Sequence, residues 1–104
     1  MRDMLDHAIE AISRVDNRTR IDLDQDRTLY LVLLQLIQIV GESARRVSME
    51  SRQAHPEVPW RMIIGTRDRL IHGYDIVDRD ILWSIATNDL PSLRDQLSRI
   101  LDAK

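Results

Sequence analysis

Apolar residues recur along this chain at helical rather than strand spacing. Met4 and Leu5, Ala8 and Ile9, then Ile12 and Val15 fall at three- and four-residue steps, which predicts an amphipathic helix over residues 1–16. The stretch NRTRIDLDQD (17–26) lacks such a period and is rich in Asp, Asn and Thr, so it reads as a connecting loop. Asp24 or Asp26 can then cap a long second helix through about Val47, with Leu29, Leu33, Leu36, Ile37, Val40, Ala44 and Val47 on its inner face. Leu31, Leu34 and Ile39 lie outside that stripe. A helix apolar on two faces calls for a partner, commonly a second copy of the same chain.

After Ser48 a short helical turn is expected to stop before His55-Pro56, because the residue preceding proline is disfavoured in the α region. A third helix is predicted from Pro59-Trp60 to about Ile71 or His72, with Gly73 as its C-terminal stop. Asp78 caps a fourth, with Ile81, Leu82, Ile85 and Ala86 apolar, and Asn88-Asp89-Leu90-Pro91 restarts the chain into a final helix through about Leu101. The expectation is an all-α bundle of four to five helices in one domain, 1–104, without repeats or linkers.

Composition narrows the chemistry. With 43% apolar and 31% charged residues and only three glycines and three prolines, the chain is globular and too poor in turn residues for many strands. The absence of cysteine excludes disulfides, thiolate zinc sites and a Cys nucleophile. His7 and His55 have no partners at metal-ligand spacing, and there is no HExxH or EF-hand pattern, so neither metal nor cofactor is expected. No apolar run reaches the roughly 18 residues of a membrane span, and Arg2, Asp3 and Asp6 stand where a signal core would begin. A cytoplasmic location follows as the expectation. Net charge is −2, but it divides as −2, +2 and −2 over residues 1–27, 28–74 and 75–104. Arginine supplies 14 of the 15 basic residues, a planar fork suited to phosphate, although a high-GC genome produces the same bias.

The positive central third contains RDRLIHGY (67–74). On a continuous helix Arg67 shares the seam of Trp60, Ile64, Leu70, Ile71 and Tyr74, where an apolar residue is due. Two readings stand: a core arginine neutralised by Glu42, or a cleft arginine offering its fork to a phosphate. His72 lies five residues on, far around such a helix from Arg67, so by spacing alone it reads as a cap on the helix dipole. The two side chains converge only if the helix unwinds near Gly73 or an interface joins them. Asp68, four residues before His72, is placed to orient the imidazole, and Tyr74 is most simply a packing residue with its hydroxyl at the surface. Gly41 and Gly65 stand inside predicted helices, either tolerated there or admitting a close helix crossing.

The segment Arg67, four residues, His72, Gly73, Tyr74 forms an RX4HXY motif. Together with IVGESARRVS (39–48), HPEVPWRMIIGTRDRLIHGYDIVD (55–78) and TNDLPSLRDQL (87–97), it resembles the HepT-like branch of the HEPN superfamily over roughly the last two-thirds of the chain. The first third matches in helical character alone. The resemblance implies a dimeric HEPN-type helical bundle acting as the toxin of a toxin–antitoxin pair, a metal-independent endoribonuclease whose substrate is RNA. It assigns Arg67 and His72 as catalytic and Asp68 as a supporting polar residue, with Glu42 the supporting candidate from the second helix, and it marks Tyr74 as the residue a nucleotidyltransferase antitoxin modifies with AMP. The alternative from a different class is a non-catalytic recognition subunit of such a nucleotidyltransferase, with the same motif presenting Tyr74 or binding a nucleotide phosphate.

Overall fold

The apolar stripes of the longest helices meet in one core. In the computed structural model, which describes residues 1–72 and 76–103 and His72 through its backbone alone, α1 (Arg2–Val15) buries Met4, Leu5, Ala8, Ala11 and Val15. The expected loop after it contains one helical turn, α2 (Asp22–Gln25), closed at its start by the Asp22 carboxylate accepting the Thr19 N–H at 2.7 Å. Asp26 then caps α3 (Arg27–Arg46), accepting from the Leu29 N–H at 3.0 Å, and every residue assigned to the inner face of that helix is buried. Of the two aspartates open as caps, Asp26 takes the role because Asp24 is already inside α2.

α4 (Met49–Ala54), capped by Ser48, ends before His55-Pro56 as expected. The third helix does not run as the sequence predicts. It is divided into α5 (Trp60–Ile64) and α6 (Thr66–Leu70) by Gly65, whose φ of −82° and ψ of 9° lie outside the α region. Two local forces favour the break: glycine resists helical ordering, and the Thr66 hydroxyl donates to the Ile63 carbonyl at 2.6 Å, competing with the backbone. Gly41 answers differently to the same question. A Cβ on it would stand 3.2 Å from the Ile63 carbonyl oxygen, so its missing side chain is what allows α3 and α5 to cross closely.

The chain leaves helical geometry at Leu70, before Gly73. Ile71 is extended, and β1 (Ile71–His72) pairs antiparallel with β2 (Ile76–Val77), Ile71 opposite Val77 and His72 opposite Ile76. Ile71, Ile76 and Val77 are β-branched, which suits this short ladder, and the Asp78 N–H donates to the Leu70 carbonyl at 2.8 Å at its base. Asp78 caps α7 (Arg79–Ser84) as predicted. No restart follows. Residues 85–89 make a π turn continuous with α8 (Leu90–Asp102), in which the Leu90 N–H reaches back to Ile85. Pro91 explains it: proline has no N–H and its ring would collide with the carbonyl four residues earlier, and the wider turn absorbs both defects.

α1 packs against both α3 and α8. The shortest dimension of the Cα trace, 17 Å, accommodates two helix layers at their usual 8–10 Å separation but not three. The outer face of α3 is therefore left open, with Leu31 exposed and Leu34 and Ile39 only partly covered. The architecture is all-α with a two-residue ladder, and no helix among the described residues is long and apolar enough to cross a membrane.

Asp26 also accepts from Arg18 at 2.8 Å, and that bond, followed by the Leu29 N–H, holds its carboxyl below the ordinary value. The Asp22 carboxyl is lowered first by the Thr19 N–H and then by Arg18. A carboxylate depressed in the fold stabilises it above the ordinary value near 4 and loses that contribution as pH falls through the folded value. The difference in Tm between the parent and Asp22→Asn/Asp26→Asn should thus be present at neutral pH and shrink towards pH 2 to 3; a difference independent of pH would show these pairs idle. Gly41→Val should cost about 1–3 kcal/mol in denaturant unfolding by forcing α5 away, and an unchanged midpoint would contradict the close crossing.

Candidate functional site

Arg67 lies just beyond the Gly65 break. The sequence places it in the core seam; in the structure the buried ridge of this segment is Trp60, Ile63, Thr66 and Leu70, while Arg67 and its neighbour Asp68 are exposed. The core arginine reading is thereby corrected. Thr66 takes the position expected for Arg67, its hydroxyl satisfied by the Ile63 carbonyl, so no charge is buried there. Trp60 fills the start of the ridge and its indole N–H donates to the His55 carbonyl at 3.0 Å.

Arg67 lines a cavity of about 450 Å³ between α3 and α6, together with Gln35, Gln38, Ile39, Glu42, Arg45 and Asp68. The structure thus brings Arg67, Asp68 and Glu42 to one trough. Arg67 has no acidic partner there: among the described residues, the side chains of Arg67, Asp68 and Glu42 form no ion pair or hydrogen bond. Among the described residues, seven of the 14 arginines are matched to acids. Arg2, Arg14, Arg18, Arg20, Arg69, Arg79 and Arg94 are each within 4 Å of a carboxylate by the 2.7–3.6 Å separations of their pairs.

His72 is carried on β1, whose backbone leaves α6 at Leu70. The helical four-residue relation between Asp68 and His72 is therefore not formed, and neither is the helix-end cap assigned to His72, since residues 71–72 are extended. The unwinding that would let residues 67 and 72 converge does occur, three residues before Gly73. The His72 ring and Tyr74 lie outside the described residues.

Sequence reasoning missed how this segment is held. Arg69, on the same short helix as Arg67, bonds Asp89 of the π turn at 3.3 Å, tying α6 to the α7–α8 arm. At the foot of the ladder, Arg79 donates to the Leu23 carbonyl at 2.7 Å and lies over the Tyr30 ring at 4.0 Å, and Arg20 bonds Asp80 at 2.7 Å. The acidic loop is thus an anchor for the strand that pairs with His72. A π turn is a frequent companion of functional sites, and the Asn-Asp-Leu-Pro run was its one signal in the sequence.

The chain is similar to known proteins over nearly its whole length. Residues 5–100 match the family model described as Ribonuclease HepT-like. A protein of Thermococcus cleftensis named "Probable ribonuclease HepT" is 31% identical over 103 residues, covering 95% of this chain and 94% of its own. A candidate RNase of Caldanaerobacter subterraneus subsp. tengcongensis is 33% identical over 104 residues, 96% of this chain and 93% of its own. No solved structure matches the chain.

The exposure of Arg67 has a direct consequence for stability. Arg67→Ala should change the unfolding free energy by no more than about 0.5 kcal/mol, whereas Leu70→Ala, at a fully buried position, should cost about 2–5 kcal/mol. Comparable losses in the two denaturant curves would return Arg67 to the core.

Proposed function

The chain belongs to the ribonuclease HepT-like family, and on that premise we propose that it is an endoribonuclease that cuts RNA at Arg67 and His72. The observation that carries the reading is the exposed Arg67 with no acidic partner, in a trough next to the point where the chain unwinds towards His72. A guanidinium so placed offers a planar fork to the scissile phosphate and stabilises the charge that develops on it. His72 acts as general base at the 2′-hydroxyl, or as general acid at the departing 5′-oxygen. RNA supplies its own nucleophile: the 2′-oxygen bonds to phosphorus as the bond to the 5′-oxygen breaks. No step in this scheme needs a metal. Asp68 and Glu42, on opposite walls of the trough, limit where an anion can settle.

The toxin role, the partner and the dimer belong to the same proposal. A second copy covers the open apolar face of α3, burying Leu31, Leu34 and Ile39. A nucleotidyltransferase antitoxin silences the enzyme by transferring AMP to Tyr74, adding phosphate charge beside the catalytic pair. The alternative, a recognition subunit without catalysis, is separated from this reading by assay of the chain alone.

Arg67→Ala and His72→Ala should each lower RNA cleavage by at least about 100-fold with thermal melts close to the parent, and EDTA should leave the parent's rate unchanged. Loss of cleavage in EDTA combined with activity in either variant would refute the assignment. Tyr74→Phe should still cut RNA, yet gain no AMP in intact mass after incubation with the partner, Mg²⁺ and ATP; equal labelling of parent and variant would move the modification elsewhere. Light scattering at micromolar concentration should return twice the chain mass, and a monomer would remove the second copy from the account.

A further inference from the structure

The trough does not end at Arg67. It runs on into a second cavity of about 580 Å³, bounded by the end of α3, α4 and α5, and the two compartments share Arg45, Ile64 and Asp68. The outer compartment carries Arg61 and Met49, the latter 60% exposed. Arg52 also borders it, but its guanidinium is occupied, donating to the Val47 carbonyl at 3.0 Å and to that of Arg45 at 3.4 Å, where it fastens α4 to the end of α3.

Arg45 and Arg61 are in the opposite condition. Both are exposed, and among the described residues neither has a carboxylate or carbonyl partner. Arg45, in the last turn of α3, also suits the helix dipole. Arg61 falls in the last turn of α5 as well, but that helix is only five residues long. With Arg67 they make three unpaired guanidinium groups on one continuous trough, in a molecule whose other arginines are mostly matched to acids. Between them the floor is apolar, from Ile64 to Met49.

We propose that this outer compartment is a subsite for RNA flanking the cut, with Arg45 and Arg61 holding backbone phosphates and Met49 and Ile64 offering an apolar surface to a base. The inference rests on the ribonuclease reading for the identity of the strand. Spaced cations along an open groove beside apolar surface are what a flexible single strand needs, since it is held by its phosphates and by the faces of its bases. Arg67 grips the phosphate that reacts; Arg45 and Arg61 set which stretch of strand lies across it.

The test measures binding of a fluorescein-labelled single-stranded RNA of about a dozen nucleotides by anisotropy, in a His72→Ala background to prevent cutting, from about 50 to 200 mM salt. Arg45→Ala/Arg61→Ala should weaken binding about tenfold at the low-salt end and reduce the slope of log K against log salt by about 1.4, near 0.7 for each phosphate no longer neutralised. Arg45→Lys/Arg61→Lys should restore most of the slope, because an arginine holds a backbone phosphate mainly by charge. Arg27→Ala/Arg99→Ala, which removes two unpaired arginines away from the trough, should leave both quantities near the parent. An equal effect from the two alanine pairs, or none from the trough pair, overturns the subsite. Cleavage by the unaltered chain is scored separately. RNA that is cut with no change of slope in the trough pair removes the subsite and keeps the ribonuclease. A changed slope with no cutting keeps the subsite and removes the ribonuclease, and RNA neither bound nor cut removes both.

Discussion

The turn at Gly65 and Thr66 is the constraint around which the site is built. A core seam that fell on Arg67 would bury a guanidinium, and one without a partner is costly to bury. By turning the chain at one glycine and letting Thr66 satisfy its hydroxyl on the Ile63 carbonyl, the fold buries a small neutral residue and sets the arginine outside. The same segment is pressed against α3 at Gly41, where no Cβ separates the helix from the Ile63 carbonyl. Close crossing below and a break above frame the trough: one glycine brings its walls together, and Arg67 follows two residues after the other.

What surrounds the trough serves to hold α6 and the ladder in place. Arg69 to Asp89 ties α6 to the π turn, the wider turn that absorbs Pro91's missing N–H and its ring. Arg79 and Arg20 fix the start of α7 to the acidic loop. Arginine in this molecule has two uses. At Arg69, Arg79 and Arg20 a paired arginine braces the chain that carries the site, and three of the unpaired ones face the trough.

Much of this is legible in the residues. The period of Leu29, Leu33, Ile37, Val40 and Ala44 predicts a long buried face, and Asp26, Ser48 and Asp78 cap the helices that follow them because short polar side chains there find free N–H groups. The motif residues Arg67, Asp68 and His72 stand out by resemblance, whereas by spacing alone His72 reads as a helix-end cap. The sequence misleads where two local preferences compete. Ile63, Ile64 and Leu70 keep helical spacing across Gly65, so the break is invisible to periodicity, and so is the choice of Thr66 over Arg67 for the buried ridge. Ile71 is as compatible with the last turn of a helix as with a strand, and only its pairing with Val77 settles the matter. Asn88 to Pro91 reads as a helix boundary because a π turn has no periodic signature.

Arg67 has no carboxylate partner among the described residues, whereas the bracing arginines are committed to theirs. Side-chain Nε resonances of arginine observe this directly, in a titration with a 2′-deoxy oligonucleotide that binds but lacks the nucleophile for cleavage. The Arg67 resonance should shift saturably with added strand, while those of Arg18 and Arg69, already committed to Asp26 and Asp89, stay where they are. Saturable binding that leaves Arg67 unmoved would place the nucleic acid elsewhere on the molecule and contradict the account.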